Sequence, residues 1–172
     1  AFLLNFAHAL DHLFLLIFAT AVAAIAADFG VARWEDLMPY TTGAFVMFGL
    51  ASVPAGRWGD LWGRRRMMLV FFHGIGLSAI AVAFTQSPWQ MGVALTVLGA
   101  FSAIYHPVGI PLLVQISPTP GRTIGINGLA GAFAQHDHGA AGRAAPAFLG
   151  SADQHVYARG LHVHPHGTRG DA

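Results

Sequence analysis

Four stretches of the chain are apolar over a length that suits a bilayer: residues 2–27, 38–55, 67–85 and 89–116. A crossing helix needs about 20 such residues, because the hydrocarbon core is about 30 Å thick and each helical residue rises about 1.5 Å. A fifth apolar stretch, residues 123–134, reads "TIGINGLAGAFA". At about a dozen residues it is too short to cross. The pattern predicts an all-α membrane protein with four full transmembrane helices and the start of a fifth, forming one bundle over residues 1–134. The first stretch is too long, and too polar near its start, for a signal peptide.

The connections are short and differ in charge. Residues 28–37 carry Asp28, Glu35 and Asp36 against Arg33. Residues 56–66, "GRWGDLWGRRR", carry Arg57, Arg64, Arg65 and Arg66 against Asp60. Residues 86–88 are neutral, and residues 117–122 form a proline-rich turn ending on Arg122. Basic connections stay on the cytoplasmic side. With antiparallel helices the two basic connections share one side and the acidic one lies opposite. The N-terminus is therefore expected in the cytoplasm of a multi-pass inner (plasma) membrane protein.

Composition sharpens this picture. Of 172 residues, 55% are hydrophobic and 10% charged, whereas soluble domains carry about 25% charged residues. Mean hydropathy is +0.54. The formal net charge of +1 points to no nucleic-acid partner. The lipid bilayer is the expected surrounding. The absence of cysteine excludes disulfides and thiolate metal sites.

The text changes at residue 135. Residues 135–172 hold six of the ten histidines, including His162, His164 and His166. Alternating histidines can be read as a metal-binding tract. The genetic code offers another reading. His, Asp and Tyr codons, shifted by one nucleotide, become Thr, Ile or Met codons, and residues 162–169 can then encode an apolar helix. The expectation is an aberrant tail, disordered or out of frame, that replaces the end of the fifth helix.

Ionisable groups inside an apolar helix cost about 2.5–3.5 kcal/mol at the bilayer centre and mark functional sites. Asp11 stands in the first helix. His8 lies three residues before it on the same face, Asn5 three before that, and His12 four after His8. A carboxylate among imidazoles can take up and release a proton during a transport cycle. In the fourth helix His106 is flanked by Tyr105 and Pro107. Proline removes a backbone donor, and broken helices at mid-membrane are where transporters bind substrate. His8, Asp11, His12, Tyr105 and His106 form the candidate proton and substrate site. Gly125, Gly128 and Gly131 make a smooth packing face on the fifth helix. No cofactor, no catalytic residue and no metal ligand set is expected. His8-x-x-x-His12 can also be half of a membrane metal centre, with only His73 and His106 available before the tail.

Gly56, Asp60, Gly63, Arg64 and Arg65 match the spacing Gly-x-x-x-Asp-x-x-Gly-Arg-(Lys/Arg). This resembles the signature loop between the second and third helices of the major facilitator superfamily of secondary transporters. The resemblance implies a latch on the cytoplasmic side between two six-helix halves. Asp60 would be its carboxylate, Arg64 and Arg65 the basic partners, and Gly56 and Gly63 the turn positions. Trp58 stands where the family usually has Leu. The start of the first helix, Asn5 to His12, also resembles the family. Tyr105-His106-Pro107-Val108-Gly109, with Arg122, Gly125, Asn127 and Gly128, is similar to members near the fosmidomycin-resistance transporters. The arginine that many drug-exporting members carry in the fourth helix is replaced by Tyr105-His106-Pro107. The likeness covers roughly residues 1–134 and gives nothing for the tail.

The resemblance implies secondary active transport of a small solute by alternating access, proton-coupled, with a C-terminal half as natural packing partner. The present chain, read as the N-terminal part, is not expected to transport alone. The alternative is a non-transporting membrane protein, either a small interaction partner or a His-based metalloenzyme.

Overall fold

The computed structural model describes residues 1–136. The readings of residues 137–172, among them the His162–His166 tract and the frameshift, lie outside the described residues.

The described chain is entirely helical. Helix α1 spans Phe2–Asp28. A 3₁₀ segment, Trp34–Thr41, leads into α2, Thr42–Trp62, and α3 covers Arg64–Ala83. Helix α4, Pro88–Ser102, continues through a π-turn at Tyr105–Gly109 into α5, Ile110–Gln115. Helix α6 is Pro120–His136. Three helical runs, Phe2–Asp28, Arg64–Ala83 and Pro88–Gln115, are long and apolar enough to cross a membrane. Helix α2 has comparable length, 21 residues, but its last two turns carry Arg57 and Asp60.

The connection expected over residues 56–66 is almost absent. Helix α2 runs on to Trp62, and Gly63 alone separates it from α3, with φ +93. Such a backbone favours glycine, which has no Cβ to clash. Gly63 forms the break between α2 and α3, whereas Gly56 lies inside α2. Gly56 and Gly59 sit inside α2 as points of close approach. A Cβ on Gly56 would lie 3.3 Å from Pro107 Cβ, and one on Gly59 would lie 2.9 Å from a Val108 methyl. The glycines read as chain-bending serve to let α2 lie against the run Pro88–Gln115, which with α2 counted is the fourth span.

Helix α4 starts where its sequence says it should. The Ser87 hydroxyl caps the Gln90 amide at 3.4 Å, Pro88 fills the first helical position, and the Gln90 side chain accepts from the Gln86 amide at 2.9 Å. This reciprocal arrangement satisfies amides the helix leaves unpaired. The π-turn also has a covalent cause. Pro107 has no N–H to give the carbonyl four residues back, and the ladder there loosens. Ile104 N–H turns to Phe101 O at 3.1 Å, and Val108 N–H resumes the i−4 pattern to Ile104 O at 3.2 Å.

Helix α2 packs along α4, α3 packs on the other flank of α4, and α6 packs along α1. A core of Ala7, Met67, Phe71, Ile75, Tyr105 and Val108, among others, fills one part of the bundle, and Phe18, Val22, Leu37, Met91 and Leu95 fill another. Leu50, Val53, Leu69, Leu77 and Phe84 point outward and are more than half exposed, as lipid-facing side chains must be.

Candidate functional site

The π-turn carries Tyr105 and His106 toward α1, and the polar residues of α1 meet them. Asp11 is fully buried. One of its oxygens, Oδ1, accepts from the Ser102 hydroxyl of α4. The other, Oδ2, accepts no hydrogen bond among the described residues. It lies 3.4 Å from His106 Nε2, a close electrostatic contact without hydrogen-bond alignment. The Ser102 hydroxyl and the facing imidazole offset the cost of a carboxylate in an apolar surround.

His8 is buried and His12 and His106 are partly exposed. A chain of hydrogen bonds fixes how two of them stand. His8 Nδ1 meets the Asn127 carbonyl at 2.8 Å, His12 Nε2 meets His8 Nε2 at 3.0 Å, and Gln135 Nε2 meets His12 Nδ1 at 3.0 Å. A carbonyl only accepts, so His8 Nδ1 carries the proton. With both rings neutral, His8 Nε2 accepts from His12 Nε2–H, and His12 Nδ1 accepts from the Gln135 amide. The tautomers follow from the terminal partners. The ligand nitrogens of His8, His12 and His106 lie within 4.8 Å of one another.

Tyr105 stacks on His8 with ring centroids 4.9 Å apart at 14°. Its hydroxyl donates to the Leu4 carbonyl at 2.8 Å and accepts from Asn127 Nδ2 at 2.8 Å. Asn127 Nδ2 also reaches Asn5 Oδ1 at 3.0 Å. Phe48 of α2 sets its ring edge-on to His106, 5.8 Å away. Gly131 makes room for the imidazoles: a Cβ there would come within 2.8 Å of His8 Cε1 and 2.9 Å of His12 Cδ2.

All five candidate site residues read from the sequence therefore converge, from two elements far apart in the chain. Sequence reasoning missed Ser102, Asn127 and Gln135. Asn127 carried a signal, being an amide in an apolar run, whereas Ser102 resembles any small packing residue. His73 lies apart; its Nδ1 meets its own helix at Leu69 O, 2.8 Å away. His8, His12 and His106 were expected in one candidate site, but spacing did not reveal that their ligand nitrogens come within 4.8 Å of one another.

At one end of the bundle Asp60 accepts from Arg64 across Gly63, 3.0 Å apart. Arg65 and Arg66 are exposed beside them. Together these residues line an open cleft of about 690 Å³ that also touches Leu112 and Gln115 at the end of the fourth span.

The sequence profile of the Major Facilitator Superfamily matches residues 2–135. The chain belongs to the major facilitator superfamily. Membership makes it a multi-pass membrane protein of a transporter family, not an enzyme. Two curated relatives are similar. A gallate transporter of Pseudomonas putida is 26% identical over 97 residues, 56% of this chain and 21% of that protein. A probable actinorhodin transporter of Streptomyces coelicolor is 29% identical over 102 residues, 57% of this chain and 17% of that protein. The chain thus spans about a fifth of the length of the curated relatives it matches. No solved structure matches.

Proposed function

We propose that this bundle belongs to a secondary transporter that moves a small solute by alternating access, with Asp11 as its ion-coupling group. The observation that carries this reading is the burial of Asp11 between α1 and the fourth span, with Oδ2 turned to His106. A fixed carboxylate in an apolar interior favours a cation beside it, and a site that gains and loses that cation can drive a conformational cycle. The proton expected from the sequence is the smallest such cation. Gallate and actinorhodin, which give the relatives their names, are the first solutes to try. The kinship to fosmidomycin-resistance transporters rests on Tyr105-His106-Pro107-Val108-Gly109, and neither relative is named for that compound. The half-exposed His106 and the exposed Gln135 suit a face that packs against a second six-helix half. Asp60, Arg64 and Arg65 act as the latch between halves, on the cytoplasmic side with the N-terminus.

The test is solute flux in vesicles carrying the transporter and energised by an ion gradient. Asp11→Asn is expected to abolish gradient-driven flux while leaving the protein folded. Asp60→Asn is expected to slow flux several-fold without changing the affinity for solute, since it lies far from the buried cluster. Undiminished flux in Asp11→Asn removes the coupling role, and a changed affinity in Asp60→Asn removes the latch.

A further inference from the structure

We infer that His8, His12 and His106, with Asp11 Oδ2, form a four-coordinate binding site for a divalent transition-metal ion of the zinc class. Three imidazoles and one carboxylate suit Zn²⁺, Co²⁺ and Ni²⁺ and suit Ca²⁺ or Mg²⁺ poorly, since those take mainly oxygen ligands. Two of the separations are already those such an ion needs, and the others must close for it to bind. Zn–N bonds are about 2.0–2.1 Å, so neighbouring ligand atoms of a tetrahedron stand about 3.3 Å apart. His8 Nε2 and His12 Nε2 are 3.0 Å apart, His106 Nε2 and Asp11 Oδ2 are 3.4 Å apart, and the three imidazole ligand atoms fall within 4.8 Å. Ring rotations are needed to bring them to one centre; the absent side chain of Gly131 is what lets the His8 and His12 rings lie this close to α6.

Two further observations point to a ligand here. Asp11 Oδ2 is fully buried, aimed at His106, and accepts no hydrogen bond among the described residues. A carboxylate lone pair in that position has coordination to offer. His8 is also already set as a ligand, because its Nδ1–H is held by the Asn127 carbonyl and its Nε2 lone pair faces the cluster. Metal-bound histidines as a rule donate their other ring N–H to such an acceptor, which fixes the ring and its tautomer. His12 reaches the same state by moving its proton to Nδ1, where the Gln135 amide, turned over, presents its oxygen. The His106 side chain, 38% exposed, opens the path by which the ion enters.

The claim of binding stands on these residues alone. That the ion is cargo or coupling cation rests on the transport reading above. The experiment uses the full chain in detergent micelles, titrated with Co²⁺ alone and followed by visible absorption, which is intense for four-coordinate and faint for six-coordinate cobalt. The tail is first removed as a competitor by changing His136, His138, His155, His162, His164 and His166 to Ala. That chain is expected to take up one equivalent of Co²⁺ with the intense band, displaced by one equivalent of Zn²⁺. His12→Gln or His106→Gln is expected to weaken binding at least tenfold and lose the band, and His73→Gln to leave both unchanged. Absence of the band in the tail-substituted chain overturns the site, however the cluster variants fold. So does a band that survives His12→Gln and His106→Gln. Gradient-driven flux is measured separately, in vesicles carrying the whole transporter to which this bundle belongs, so transport without Co²⁺ binding defeats the metal site alone, and binding without transport there defeats the coupling role alone.

Discussion

Asn127 holds two parts of the site to α6 at once. Its carbonyl receives His8, and its amide reaches both Asn5 and Tyr105. Truncating it leaves the Asn5 and Tyr105 oxygens short of a donor while the carbonyl remains. A lost buried hydrogen bond costs about 1 kcal/mol in water, and interhelical ones in membrane proteins average about 0.6 kcal/mol. Asn127→Ala and Tyr105→Phe are each expected to destabilise the bundle by about 1 kcal/mol in thermal unfolding in micelles. Because they share one hydrogen bond, the double variant should lose less than the sum. Strict additivity would mean that bond contributes nothing. The residues legible in the sequence were those whose charge or ring conflicts with an apolar helix: Asp11, His8, His12 and His106. Ser102 was not legible, since a serine among Leu98, Gly99, Ala100 and Phe101 looks like packing until α1 is laid beside it.

Between elements, small residues set the distance. Gly43 and Gly99 lie where α2 crosses α4, and a Cβ on Gly99 would fall on the Ala44 backbone. Backbone cannot step aside as a side chain can. Gly99→Ala is therefore expected to push α2 off the fourth span and cost more than about 2 kcal/mol, at the upper part of the overpacking range. Gly76 in α3 has no atom within 4 Å of such a Cβ, and Gly76→Ala should be neutral or stabilise by up to about 1 kcal/mol. Unfolding midpoints of the two variants check this, and equal midpoints would refute the close crossing. The same physics explains what the pattern misjudged in α2. Gly56, Arg57, Gly59 and Asp60 read as a loop because glycine and charge interrupt hydrophobicity. Yet the fourth span accepts the glycines as contacts, and Arg57 and Asp60 emerge where the helix leaves the apolar layer. The helix is held by its neighbour rather than by its own propensity. The π-turn was legible as to cause, Pro107, but not as to direction.

For the molecule as a whole, the two ends of the bundle differ in sign. Leu112 and Gln115 share a cleft with Gly59–Arg66, so the turn after α5, with Arg122, lies at the same end as Arg64, Arg65 and Arg66. Asp28 and Phe29 share a cleft of about 480 Å³ with Thr85 and Gln86, which puts the acidic connection and the neutral one at the other end. The helices therefore alternate in direction. An arginine at the centre of a membrane helix costs about 2.5–3.5 kcal/mol on insertion scales. By the positive-inside rule, a cluster of three next to Gly63 is expected to keep that end on the cytoplasmic side. The chain has no cysteine, so one introduced thiol reports one location. Gln86→Cys is expected to react with a membrane-impermeant maleimide added to intact cells. Arg65→Cys is expected to react only after the membrane is opened, and replacing one arginine of the three leaves the charge asymmetry standing. If the thiol at position 65 is labelled from outside and the one at position 86 is protected, the bundle is inserted the other way. The Asp60–Arg64 pair would then face away from the cytoplasm. Labelling of both in intact cells would mean that α3, which joins them, does not cross.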